Sequence, residues 1–117
     1  IMLAIKMALQ SKDIVHTLIF DEIDSGISGA TAARVGDTFE KLAESHQIVC
    51  VTHLSKIAGK GNTHIKVSKK VNQNRVAVEI HKLSKSDRIR EIATLISGQK
   101  VTESSRKQAQ ELLHLNG

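Results

Sequence analysis

The chain has 117 residues, 40% apolar and 25% charged, with no proline, no tryptophan, two phenylalanines and one cysteine. That composition speaks against wholesale disorder and suits one small domain or part of a larger one. It excludes an internal disulfide scaffold, because Cys50 is alone, and a membrane-spanning helix, because no run of about 18 apolar residues occurs. The net charge of +5 is local. Lys66 to Arg90 holds eight cations against Glu79 and Asp87, so that segment carries +6 and the remainder −1. Such a region attracts a polyanion or serves as a solvated, lysine-rich edge that blocks strand-to-strand aggregation.

In chain order, Ile1–Leu9 is apolar on nearly every side, as in a helix buried between layers. It lacks a basic leader and a small-residue cleavage site, so no signal peptide is expected. Thr17-Leu-Ile-Phe20 reads as a strand buried on both faces. Ala32, Val35, Phe39 and Leu42 then fall at helical spacing, predicting an amphipathic helix from about Ser28 to Ser45. Ile48-Val-Cys-Val-Thr52 reads as a second buried strand. Phe20 and Phe39 are the only aromatic residues available to stack on bases, and both sit in these apolar patterns as core. Strand, helix and strand make a βαβ unit with parallel strands and a right-handed crossover. A short helix, His53 to Ala58, and a Gly59-Lys60-Gly61 turn follow.

From Thr63 the period becomes two. Ile65 and Val67, then Val76, Val78 and Ile80, alternate with polar residues around a break at Asn72-Gln73-Asn74, predicting a hairpin with one solvated, polar face. Ile89, Ile92, Ala93 and Ile96 form a helical stripe that stops at Gly98. Thr102 to Leu115 reads as a more polar helix. The fold class is α/β: a layered fragment with a parallel βαβ core, a β-hairpin and C-terminal helices.

The chemistry concentrates in Phe20-Asp-Glu-Ile-Asp-Ser-Gly-Ile-Ser-Gly29. Ligands of open α/β sheets gather at the carboxyl ends of parallel strands, so a rigid element aims Asp21 and Glu22 at a crevice. An apolar strand ending in adjacent acids matches the acidic half of a nucleotide triphosphatase site. One acid neutralises Mg²⁺ charge and the other stays free for a proton. The bland alternative is an acidic loop that solvates a sheet edge. The second strand ends Val51-Thr-His-Leu54 and so places His53 where it reaches a terminal phosphate; otherwise a histidine there is a cap or a surface group.

These stretches resemble the ATP-binding cassette ATPases, in the branch of the structural-maintenance-of-chromosomes (SMC) heads, a P-loop NTPase-like fold. Within it, Phe20–Gly29 together with Val51–Leu54 is similar to the RecN family of bacterial DNA repair proteins. The resemblance implies that Asp21 holds the water shell of Mg²⁺, Glu22 is general base on the attacking water, and His53 contacts the γ-phosphate of ATP. It implies that Ser25, Gly26 and Ser28 form a D-loop reading a second head across a homodimer interface. It further implies a cytoplasmic, nucleoid-associated protein acting in double-strand break repair and recombination, with DNA and the rest of the family's chain as partners and no membrane. Two residues depart from the pattern: Ser28 stands where many cassette ATPases have Asp, and Ser55 where the RecN family usually has Pro.

No G-x-x-x-x-G-K-[ST] phosphate loop and no glycine-rich signature occur. Residues 1–117 are therefore expected to be a single C-terminal lobe of a head, weak or inactive toward ATP alone. Asp24 serves either the D-loop or a local turn cap. The rival readings are a basic nucleic-acid module gripping phosphate through Lys66–Arg90, a structural dimerisation lobe, and a metal nuclease using Asp21, Glu22 and Asp24. His16, His46, His64, His81 and His114 are scattered, and with one cysteine they form no zinc set.

Overall fold

A computed structural model describes residues 15–114. The chain divides after Lys60 into two compact units. The helix expected over Ile1–Leu9 lies outside the described residues.

The first unit runs β1 (Thr17–Phe20), α1 (Gly29–Leu42), β2 (Gln47–Cys50) and a one-turn helix α2 (Ser55–Ala58). β1 and β2 pair in parallel with Thr17 opposite Gln47 and Phe20 opposite Cys50, as the βαβ reading requires. The helical spacing buries Ala32, Phe39 and Leu42 of α1 against Ile57 of α2, with Phe20, Val35, Ile48, Cys50 and Leu54 packed around them. Phe20 and Phe39 meet at 4.7 Å between ring centroids with a 38° tilt. Burial of a side chain such as Phe39 or Leu42 stabilises by about 1.5–3 kcal/mol.

Gly36 marks a close approach of α1 to the segment after β2. A Cβ there would stand 3.0 Å from Lys60 Cγ and 3.2 Å from the Lys56 carbonyl oxygen. Lys60, read from sequence as part of a turn, pins that segment to α1 through ion pairs with Asp37 and Glu40, each at 3.0 Å.

The sheet departs from expectation on one face. Leu18 is buried, but Ile19 is 72% exposed, with Val49 and Val51 exposed beside it. A continuous apolar run reads as a strand covered on both sides. Among the described residues, α1 and the Leu54–Ile57 turn cover only one.

The second unit pairs β3 (Ile65–Asn72) with β4 (Arg75–Lys82) in antiparallel register, followed by α3 (Lys85–Ser97) and α4 (Glu103–His114). Gln73 and Asn74 both have positive φ, at 48° and 64°. That is the signature of a two-residue hairpin turn whose twist matches the strands.

The polar face of this hairpin is solvated as the sequence predicts, with Lys70 and His81 exposed, but the apolar face is exposed as well. Val67, Val71, Val76 and Ile80 are exposed, while the polar row meets α3 through Lys66 Nζ, 2.6 Å from Glu91 Oε2. Alternation predicts two unlike faces but not which of them a neighbouring element approaches, and α3 touches the polar one at the Lys66–Glu91 pair.

α3 begins four residues before its apolar stripe because Ser84 caps it. Ser84 Oγ accepts the Asp87 N–H at 3.2 Å and donates to the Asp87 carboxylate at 3.0 Å, a side-chain N-cap. α4 starts on a similar exchange between Thr102 and Ser105, with bonds of 2.9 and 3.0 Å. Ile92, Ala93 and Ala109 are fully buried in the two helices, and Gly98, at φ 93°, ends α3.

Candidate functional site

The first unit carries the site. β1 ends at Phe20, and the Phe20 carbonyl still accepts the Val51 N–H at 2.9 Å, so the two chains leave the sheet side by side. Hydrogen-bonded parallel strands stand about 4.8 Å apart. Asp21 and Glu22 follow one strand, and Thr52 and His53 follow the other. Asp21, Glu22, Asp24, Ser25, Val51, Thr52 and His53 line one open cleft of about 660 Å³.

The turn after β1 is tight. Glu22 has a φ of 57°, a left-handed conformation that costs a non-glycine residue about 1–3 kcal/mol and is concentrated at functional sites. Asp21 Oδ1 accepts the Glu22 N–H at 2.8 Å. That bond occupies one Asp21 oxygen and fixes the backbone between the two acids.

Asp24 takes a part that neither sequence alternative foresaw. Its carboxylate reaches over to the chain leaving β2, 28–29 residues away, and caps that turn rather than its own. Asp24 Oδ1 accepts the Thr52 hydroxyl at 2.7 Å, and Oδ2 accepts the His53 N–H at 2.6 Å. The His53 Nδ1 lies 2.6 Å from the same Oδ2, with the Asp24 side chain 8% exposed and the His53 side chain 76% exposed. Thr52 Oγ1 in turn accepts the Leu54 N–H at 3.0 Å. No spacing rule links residues so far apart in sequence, so only the parallel pairing of β1 and β2 reveals this contact.

The D-loop candidates separate. Ser25 lines the cleft, whereas Gly26 and Ser28 are not among its lining residues. Gly26 supplies a positive φ of 76°, and Ser28 precedes α1 with its hydroxyl 3.2 Å from Thr31 Oγ1.

Cys50, at the last position of β2, records the local field. Burial first, and then the charges of Asp24 and Asp21, raise its thiol to about 11. The thiol therefore stays protonated near neutrality, which suits core packing and not nucleophilic chemistry.

Among the described residues no group of three or more His, Cys, Asp or Glu could hold a metal by itself. The acids fit Mg²⁺ in another manner. Mg²⁺ is usually bound through one or two carboxylates together with substrate phosphates and waters, and Asp21 supplies one such carboxylate.

The basic segment is partly neutralised within the second unit. Lys66 pairs with Glu91, Lys70 with Glu79 and Arg90 with Asp87. Arg88 donates to the Gly61 and Asn62 carbonyls. No helix among the described residues is long and apolar enough to cross a membrane.

No protein-family model matches the chain. Individual proteins do. The DNA repair protein RecN of Rickettsia conorii is 43% identical over 114 residues, which is 97% of this chain and 21% of that protein. RecN of Vibrio cholerae is 44% identical over 111 residues, 95% of this chain and 20% of that protein. RecN of Bacillus subtilis is 35% identical over 113 residues, 97% of this chain. Over 95–97% of its length the chain is similar to these RecN proteins, at 35–44% identity. It spans about one fifth of the length of the curated relatives it matches. A solved SMC ATPase, from work on ATP-driven dimerization and DNA-stimulated activation of SMC ATPases, superposes with a TM-score of 0.60. That match covers 77% of this chain and 55% of the other at 24% identity, a likeness of fold. The mixed α/β layout of this RecN-like segment, with its parallel pair, hairpin and C-terminal helices, agrees with the reading from sequence.

Proposed function

We propose that this RecN-like segment, the C-terminal lobe of a head, furnishes the Walker B, D-loop and switch-histidine side of an ATPase site. In this reading the intact protein acts in DNA double-strand break repair and recombination, inside the bacterial cell, through ATP-driven association of two heads on DNA. One observation carries the proposal: adjacent acids at the end of β1 and a histidine at the end of its parallel neighbour face a common cleft. The similarity to RecN proteins over nearly the whole chain supports the DNA repair setting.

The roles follow from chemistry. Asp21 holds the water shell of Mg²⁺, and the bound ion neutralises phosphate charge during transfer. Glu22, exposed at the cleft, takes the proton of the attacking water. His53 offers an imidazole nitrogen to the terminal phosphate. Ser25, Gly26 and Ser28 form the turn that a second head would read. The segment has no phosphate loop, so the amides that cradle the β- and γ-phosphates come from the rest of a RecN-length chain.

The test is ATP turnover by a RecN-length protein carrying this segment. Glu22→Gln keeps the shape of the side chain and removes the base, and is expected to lower kcat by about a hundredfold or more. ATP binding and head association should persist. Unchanged turnover in Glu22→Gln would refute the proposal.

A further inference from the structure

We infer that Asp24 is a positioning residue for the switch histidine: its carboxylate fixes the ring and backbone of His53 so that Nε2 alone meets the terminal phosphate. The inference rests on the ATPase reading above and adds to it a residue outside the Asp21–Glu22 pair.

A histidine at a strand end with a side chain 76% exposed is normally free to turn about χ1 and χ2. Here three groups of the β2–α2 turn converge on one carboxylate: the Thr52 hydroxyl, the His53 N–H and the His53 Nδ1, at 2.7, 2.6 and 2.6 Å. The Asp24 side chain is itself 8% exposed, so it has few other conformations to visit. A carboxylate oxygen 2.6 Å away repels the Nδ1 lone pair and attracts a proton there, so this contact favours the Nδ1–H form. The partner of one ring nitrogen sets the chemistry of the other. With Nδ1 committed to Asp24, Nε2 is the nitrogen left to face the cleft that Asp21 and Glu22 line.

Two features make the arrangement directional. Asp24 belongs to the same turn as the two acids, so one rigid loop sets both the water-activating carboxylate and the phosphate-contacting ring. The link also joins chains leaving two different strands. A displacement of the β1 turn, such as one imposed by a second head against Ser25, would move His53 with it.

Two measurements test the inference. In the 117-residue chain, nitrogen-15 NMR of the ring should show His53 as the Nδ1–H tautomer at alkaline pH, and Asp24→Ala should shift it toward Nε2–H. A native Nε2–H tautomer would overturn the inference whatever the enzyme does. In a RecN-length protein, Asp24→Asn removes the charge but keeps an acceptor for the backbone N–H. It should lower kcat by about ten- to a hundredfold with KM for ATP nearly unchanged.

A merely structural Asp24 would lower the melting temperature and leave kcat of the folded enzyme intact, and that result also overturns the inference. Glu22→Gln separates the two levels. If Glu22→Gln abolishes turnover and Asp24→Asn does not affect it, positioning fails and the ATPase reading stands. If Glu22→Gln has no effect, the ATPase reading fails, and the tautomer still reports on the Asp24–His53 bond.

Discussion

The two halves of this chain use sheets in opposite ways. In the first, a parallel pair lays its side chains on α1 and leaves its carboxyl ends open, so the acids, Thr52 and His53 gather in one cleft. In the second, an antiparallel hairpin closes on itself through a two-residue turn, meets α3 through a polar row and leaves its apolar row exposed. Parallel strands deliver both chains to the same edge, which builds a site. Antiparallel strands send them to opposite edges, which builds a surface. The lesson is that strand direction, more than composition, decides where chemistry can collect.

The sharpest way to probe that contrast is to empty each core separately. Leu42 and Ile92 are the largest fully buried side chains, one in each half. Leu42→Ala and Ile92→Ala should each cost about 2–5 kcal/mol, measured by urea unfolding with residue-resolved NMR. Leu42→Ala should broaden the signals of Thr52 and His53 while Ile92→Ala acts on α3 and α4. If both variants perturb the same residues equally, the division into two units is wrong.

Overfilling the first half comes next. Gly36→Leu forces atoms into the space held by the Lys56 carbonyl and Lys60 and should destabilise by about 1–3 kcal/mol. Unchanged thermal unfolding would show that α1 and the Lys56–Lys60 segment are not in close contact.

A smaller effect is expected at the caps of the second half. Ser84→Ala removes the acceptor for the Asp87 N–H and should cost about 1 kcal/mol. Faster amide exchange in the first turn of α3 would register it, and Ser84→Asp should restore protection.

Effects confined to the extremes of pH also separate the halves. Cys50 ionises at about 11 in the fold against an ordinary 9.0. The unfolded chain therefore loses that proton first, and the first half loses stability as pH rises from 9 toward 11. Burial, then Arg88, hold His64 of the second half below its ordinary 6.5. There the unfolded chain takes up the proton first, so stability falls as pH drops below 6.5. Cys50→Ala should flatten only the alkaline limb and His64→Asn only the acid limb. A Cys50→Ala protein with an unaltered alkaline limb would show that the thiol titrates normally in the fold.

Much of this was legible in the residues. The strand Thr17–Phe20, the α1 stripe, the hairpin and the stop at Gly98 follow from apolar periods of 3.6 and 2 and from turn chemistry. The beginning of α3 is not legible in the apolar spacing, which starts at Ile89, because the capping pair Ser84 and Asp87 stands upstream of any stripe. The burial of the sheets was misjudged because alternation and apolar runs say that faces differ, not what lies against them. In the site, Asp21, Glu22 and His53 stood out through their position at strand ends. Asp24 stood out too, but its role did not, since its partners lie 28 and 29 residues away and nothing local couples them.

Sequence alone determined the elements, their order and the identity of the polar groups at the two strand ends. Periodicity, turn propensity and charge are properties of neighbouring residues, and the chain carries them before it folds. Tertiary structure alone decided which carboxylate holds the histidine, that the apolar hairpin face is open and how closely α1 approaches Lys56 and Lys60. Those depend on distances between residues far apart in the chain, and a one-dimensional pattern holds no such distance.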